Sequence, residues 1–389
     1  MQNQSKTGFQ TTNVILVAFS HLVHDIYSAF LSPVLPLIIK KFGLTYTQAS
    51  MLSMLQNLPA IINPFVGAIA DRIRMRYLVI VMPSVTAVTM SCLGVSNSYS
   101  MLLVLAATMG LSSALYHIPT PVMMKKVSGN RLGMGMSFYM AGGEIARMLG
   151  PLLITAAVSY WSFEGSWRVL PLGPVASLLL YFRLKDIPIS QDISQQQKNS
   201  HIFEELKPHL PFFTMLSGYI VSRGLMSFSL TAFLPTYLNE KGFSLWLCGA
   251  ALSILQAGSI GGTSISGSIS DKIGRKTTLL IIAIVSPALM FIFLQTHSFN
   301  LMIPLLVVTG FFHFSHQPVL LAYVQDIKTT KPAFLNSIYM TITFGISSAS
   351  VAVVGILMDT LGMEYTYYIS AISALLGIPF VLFLKPVKS

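Results

Sequence analysis

The chain has 389 residues, of which 53% are hydrophobic and only 10% charged, with a mean hydropathy of +0.68. A soluble domain carries about 25% charged residues, so this composition belongs to a polytopic membrane protein. The formal net charge of +11 does not mark a nucleic-acid binder, because the cations sit in short loops between apolar runs, not with aromatics on one polar face.

Residues 1–12 are polar with a single cation, Lys6, and the first apolar run is too long for a signal-peptide core, so no cleavable targeting segment is expected. Apolar spans are predicted at 13–38, 46–69, 77–96, 100–122, 133–160, 167–184, 210–236, 245–268, 278–295, 300–323, 334–358 and 365–384. That is an all-α protein with twelve transmembrane helices. Several contain Pro or Gly, which membrane helices tolerate. Cys92 and Cys248 fall in separate spans and provide no disulfide framework.

The first span carries His21, His24, Asp25 and Ser28 at i, i+3, i+4 and i+7, a polar stripe with Tyr27 beside it on an otherwise apolar helix. An ionisable group at membrane depth costs roughly 2.5–3.5 kcal/mol on insertion scales, so such groups face a partner or a watery cavity. One helix–helix contact would account for a single polar residue. It does not account for stripes that recur. Span four holds His117. Span five holds Glu144 and Arg147, spaced i, i+3 and able to pair. Spans seven and eight hold Arg223 and Gln256, and span ten repeats the i, i+3, i+4 pattern as His313, His316 and Gln317.

With both termini cytoplasmic, eighteen of the 24 Lys and Arg lie in inner loops, and only Lys40, Lys41, Arg168 and Lys241 lie outside. The longest polar segment joins spans six and seven, so residues 1–184 are expected to form one six-helix half, 185–207 a cytoplasmic linker, and 208–389 a second half. The halves repeat at offsets of 199 or 200 residues. Leu35-Pro36 and Gly43 match Leu234-Pro235 and Gly242, and Gly67-Ala-Ile-Ala-Asp71-Arg72 matches Gly267-Ser-Ile-Ser-Asp271-Lys272. His117-Ile-Pro119 matches His316-Gln-Pro318, and Ser137-Phe-Tyr139-Met140 matches Ser337-Ile-Tyr339-Met340. Two parallel repeats of six helices are a transporter architecture.

The pattern Gly-x-x-x-Asp-Arg/Lys-x-Gly-Arg-Arg/Lys between spans two and three, and again between eight and nine, resembles the signature of the major facilitator superfamily. The second copy, Gly267 to Lys276, fits fully; in the first, Gly67 to Arg76, Arg74 and Met75 replace the Gly and a basic residue. Gly142-Gly143 with Gly150-Pro151 looks like the glycine–proline motif of antiporters. The His21…Asp25 stripe, Ser112-Ser113…His117, the Gly143–Leu153 run and Tyr323-Val324-Gln325-Asp326 resemble the fosmidomycin-resistance family, which exports a phosphonate antibiotic. Glu144 and Arg147 depart from that family's pattern.

The resemblance implies alternating access, with Asp71, Arg72, Asp271, Lys272 and Arg275 acting as gates. Asp25 and Glu144 are the proton-coupling candidates, since a carboxyl inside a bundle can load and release a proton. Arg147 and Arg223 suit a phosphonate, phosphate or carboxylate. Arg223 stands where His24 stands in the first half, so spans one and seven are expected to flank a central cavity. The expected solute site is His21, His24, Tyr27, His117, Arg147, Arg223, Gln256, His313, His316 and Gln317. The chain is thus expected to be a proton-coupled exporter of a small anionic organic solute, acting as a monomer in a bacterial inner membrane. No cofactor is expected beyond the proton gradient, and no Walker-type phosphate loop points to ATP. An alternative use of His24, Asp25, His117, His313 and His316, with His21, is to bind a transition metal or a metal-chelating metabolite. No Cys pair or HExxH spacing supports a fixed metal. A receptor or enzyme that kept the fold without transporting is a third class, against which the intact second motif argues.

Overall fold

The computed structural model describes residues 8–59, 75–187, 189, 206–327, 329 and 332–384. Among these residues the protein is helical, with no strand. Among the described residues, eight helices or helix pairs are long and apolar enough to cross a membrane, from Thr11–Phe42 to Met363–Phe383. Large apolar side chains such as Val104, Phe182 and Leu301 stand exposed along them. On a soluble protein such a surface would aggregate; here it is the face that meets lipid.

The described residues pack as two units, Met1–Leu31 with Pro59–Ser200, and Ser32–Leu58 with His201–Ser389. The first unit contains α1 (Thr11–Ser28), α4 (Met75–Ser91), α5 (Tyr99–His117), α6 (Pro119–Ser128), α7 (Leu132–Gly165) and α8 (Leu172–Leu184). The other holds α2 (Leu31–Phe42, apart from its first residue), α3 (Tyr46–Asn57), α9 (Leu210–Thr231), α10 (Leu234–Glu240), α11 (Leu245–Ile273), α12 (Arg275–Leu294), α13 (Phe299–Phe314), α14 (His316–Gln325), α15 (Pro332–Leu361), α16 (Met363–Leu375) and α17 (Gly377–Phe383). Residues 32–58 belong to the second unit because α3 lies along α15: the carboxylate of Asp359 caps the start of α3, accepting from the amides of Tyr46 and Thr47 at 2.8 Å each. Thr45 completes a capping box with Gln48.

In the first unit α1 lies against α7, and the close approach depends on glycine. A side chain at Gly142 would meet the carbonyl of Ala18 at 2.6 Å, and one at Gly143 would meet Cε1 of His21 at 2.6 Å. The glycine motif therefore lets α7 sit directly on the polar stripe of α1. Below the stripe, Val14, Val17, Val79, Tyr116, Met123 and Tyr139 form a dry core. In α7 the backbone leaves helical geometry at Ser162 (φ 67°, ψ 173°), which ends the membrane-crossing part near the predicted boundary at 160.

The repeat recurs in local geometry. Gly43 (φ 61°) and Gly242 (φ 90°), offset by 199 residues, both turn the chain after a helix through a backbone conformation that side-chain-bearing residues rarely adopt. Spans four and ten both break at the matched histidine. The proline that follows starts a new helix at Pro119, and His316-Gln-Pro318 opens α14. Residues 67–74 of the first loop motif, including Asp71, Arg72 and Arg74, lie outside the described residues, as does most of the 185–207 linker.

Candidate functional site

Two buried polar clusters stand out, one in each unit. In the first, α1 supplies His21, His24 and Asp25, α5 ends on His117, and α7 brings Tyr139. Nε2 of His21 lies 3.2 Å from Oδ2 of Asp25, and Nε2 of His117 lies 3.3 Å from Oδ1 of the same carboxylate. The far sides of both rings rest on one residue. His21 donates from Nδ1 to the main-chain carbonyl of Tyr139 at 2.7 Å, and Nδ1 of His117 is 3.3 Å from the Tyr139 hydroxyl. The His21 ring also stacks on the Tyr139 ring, with centroids 4.0 Å apart.

This arrangement fixes a proton. A carbonyl only accepts, so Nδ1 of His21 carries a hydrogen. The contact between Nε2 and Asp25 then holds one shared proton, as imidazolium with carboxylate or as imidazole with carboxylic acid. Either way the pair is net neutral, which is how such groups persist at membrane depth.

His24 is fully buried, and neither ring nitrogen has a hydrogen-bond partner among the described residues. Its ring stacks on His117 at 5.3 Å and meets the edge of Tyr116 at 4.2 Å. Tyr116 itself is hydrogen-bonded to Ser20 at 2.5 Å. Tyr27, expected at the solute site, is turned elsewhere: it is fully buried, and its hydroxyl donates to the carbonyl of Val169, so it anchors α1 to the α7–α8 connection. Glu144 and Arg147 pair along α7 as their i, i+3 spacing predicts, with side chains 14% and 44% exposed.

In the second unit Arg223 sits on α9 with 1% of its surface exposed. Its Nη2 donates to Nδ1 of His313 at 3.2 Å, to the carbonyl of His313 at 3.1 Å and to Ser286 at 3.3 Å. A guanidinium only donates, so Nδ1 of His313 accepts, the ring is neutral, and its Nε2–H faces Ser227 at 3.0 Å. His316 donates from Nδ1 to the His313 carbonyl at 2.6 Å. Nε and Nη1 of Arg223 have no hydrogen-bond partner among the described residues, nor has the hydroxyl of Tyr219, over whose ring the guanidinium lies at 5.6 Å. The amide oxygen of Gln256 is likewise buried without a partner. Gln317, expected at the solute site, is exposed.

At the second loop motif, Gly274 turns the chain at φ 90°, which explains the glycine in that position. Arg275 is held between Asp271 at 2.5 Å and Asp326 at 3.0 Å, and donates to Ser270 at 2.6 Å. Asp326 is thus part of the motif's electrostatics, while Lys272 is exposed. These two carboxylates hold the Arg275 guanidinium above its ordinary pKa against the opposing effect of desolvation, the largest single influence on it.

Sequence reasoning singled out His21, His24, Asp25, His117, Arg223, His313 and His316 from their depth in apolar spans. It did not single out Tyr139, Tyr219, Ser227 or Ser286. Tyr139 had a signal in the repeated Ser-x-Tyr-Met pattern; the serines had none, because serine is common in membrane helices.

The sequence pattern of the Major Facilitator Superfamily matches residues 17–352. The chain belongs to this superfamily. It is 26% identical to the fosmidomycin resistance protein of Escherichia coli (strain K12) over 392 residues, covering 96% of this chain and 93% of the relative. Its fold matches the crystal structure of the nucleoside transporter NupG with a TM-score of 0.79 at 13% identity, covering 96% of this chain and all of the other. The D-xylose–proton symporter matches with a TM-score of 0.74 at 16% identity, covering 97% and 99% of the two chains. The protein is therefore a multi-pass membrane transporter of small molecules, not an enzyme.

Proposed function

We propose that this superfamily member is a proton-coupled exporter of a small organic anion, working by alternating access in a bacterial inner membrane with both termini cytoplasmic. The observation that carries the reading is Arg223. A fully buried guanidinium with two unsatisfied donor nitrogens is costly unless an acceptor arrives. A phosphonate, phosphate or carboxylate supplies that acceptor through charge-assisted hydrogen bonds to the guanidinium. Tyr219, with its own unpartnered hydroxyl, lies beside the fork. Similarity to the fosmidomycin resistance protein supports both a phosphonate-class solute and the outward direction.

The shared proton of His21 and Asp25 supplies the coupling, with Glu144 as the second carboxyl. When the proton leaves, an ionised Asp25 stays beside neutral imidazoles, and that uncompensated charge favours a different packing of α1 against α7. The driving force is the proton gradient, and the 1–184 and 208–389 halves are the moving bodies in a monomer.

Reconstituted protein tests this directly. In liposomes with an imposed pH gradient, fosmidomycin should exchange for protons, and Arg223→Gln should abolish the exchange. Wild-type exchange that survives in Arg223→Gln would remove Arg223 from the solute site.

A further inference from the structure

The first-unit cluster has a geometry that proton transfer does not require. Two imidazole Nε2 atoms and a carboxylate converge, and the three ligand atoms of His21, Asp25 and His117 lie within 4.8 Å of one another. Nε2 of His21 lies 3.2 Å from Oδ2 of the carboxylate and Nε2 of His117 lies 3.3 Å from its Oδ1, so each ring faces its own oxygen. Zinc bound tetrahedrally at 2.0–2.1 Å separates its ligands by about 3.3–3.4 Å. Each imidazole–carboxylate separation is close to that spacing, with one carboxylate oxygen per ring.

The surrounding groups match as well. Metal-binding histidines are held through the opposite ring nitrogen by a carbonyl, carboxylate or hydroxyl, which fixes both tautomer and orientation. Tyr139 does this for both rings, through its carbonyl for His21 and its hydroxyl for His117. His24 is the independent observation. It is a fully buried imidazole one helical turn from His21, stacked on His117, with both nitrogens unpartnered. A buried imidazole without partners is destabilising, and this one borders the triad through its stack on His117. Arg147 on the facing helix is paired with Glu144.

We infer that His21, Asp25 and His117 form a binding site for a divalent first-row transition ion, with the buried His24 ring stacked against it. Two imidazoles and one carboxylate suit Zn2+, Co2+, Ni2+ or Fe2+ over Mg2+ or Ca2+, which prefer all-oxygen shells. The ion displaces the proton shared by His21 and Asp25, so metal and proton exclude each other. The site is narrower than the histidine set expected from sequence. His313 is excluded from it, because Arg223 donates into its Nδ1 and places a positive charge against it. The site does not depend on the anion reading, since it uses none of the Arg223 cluster.

The test is metal binding by the purified full-length chain. After removal of metal with a chelator, Co2+ titration should give the intense visible absorption of a low-coordinate site, and equilibrium dialysis should find one Zn2+ bound per chain. His117→Gln and Asp25→Asn should each weaken Zn2+ affinity at least tenfold. Tyr139→Phe, which keeps the carbonyl and loses the hydroxyl, should weaken it less, whereas His297→Ala on the exposed surface should not change it. His117→Gln is the variant expected to fold without difficulty, because its side chain is 34% exposed. In liposomes Zn2+ should slow proton-driven exchange in wild type. Wild type without the Co2+ spectrum, or a folded His117→Gln with undiminished Zn2+ affinity, would overturn the site. Loss of anion exchange with Zn2+ binding intact would overturn the anion reading and leave the metal site standing.

Discussion

Arg223 and His313, 90 residues apart, are joined twice, since one guanidinium nitrogen donates to both the ring and the main-chain carbonyl of the histidine. The double contact occupies Nη2 and leaves Nε and Nη1, on opposite sides of the guanidinium, without partners among the described residues. Those free donors are the feature an anion would recognise.

Arg223→Gln is expected to lower affinity for an anionic solute at least tenfold, equivalent to about 1.4 kcal/mol. Arg223→Lys should recover only part of the loss, because an ammonium keeps the charge but not the planar spread of guanidinium donors. Thermal-shift titration of each purified variant with fosmidomycin would measure this, and equal affinity in the lysine variant would show that charge alone suffices.

Asp25→Asn should separate binding from coupling. The amide accepts one histidine contact but does not titrate, so pH-driven exchange should fall to background. Solute counterflow at equal pH should persist. Intact pH-driven exchange in this variant would remove Asp25 from the coupling role.

Gly143→Ala should destabilise the protein by about 1–3 kcal/mol through overpacking. The added methyl meets the His21 ring, which cannot move away freely because Tyr139 and Asp25 hold it. A lowered Tm together with weakened Zn2+ binding would show that α7 positions the triad. A lowered Tm alone would confine the glycine to packing.

At the second loop motif, Gly274→Ala should cost about 1–3 kcal/mol, because φ 90° is strained for any residue with a side chain. Asp326→Asn should cost less than about 1 kcal/mol, since the contact with Arg275 is partly exposed. Arg275→Gln removes the contacts with Asp271, Asp326 and Ser270 together. A double-mutant cycle on Tm with Asp326→Asn and Arg275→Gln would measure how strongly the two are coupled.

Much of the fold was legible in the sequence because the bilayer imposes a simple requirement, about twenty apolar residues for each crossing helix. The repeat added a second constraint, and matched turns at Gly43 and Gly242 and matched breaks at His117 and His316 bear it out. Candidate site residues were legible for a similar reason. His21, Asp25, His117 and Arg223 are conspicuous because ionisable groups are expensive at that depth. Tyr27 was not distinguishable from them, since a tyrosine at membrane depth serves equally as an anchor or a ligand. Only its contact with the Val169 carbonyl assigns it to anchoring.

The sequence by itself determined the class of the protein, its helices, its internal repeat and the short set of groups able to carry charge in the membrane. All of these follow from local composition and periodicity. The tertiary structure decided which groups meet. His21 and Asp25 are neighbours on one helix, but His117 reaches them across 92 residues and Tyr139 across 118 and 22. Whether a histidine stripe handles a proton, an anion or a metal depends on distances of a few tenths of an ångström between atoms on different helices. Those distances come from how closely α7 packs on α1, which spacing along one chain does not encode.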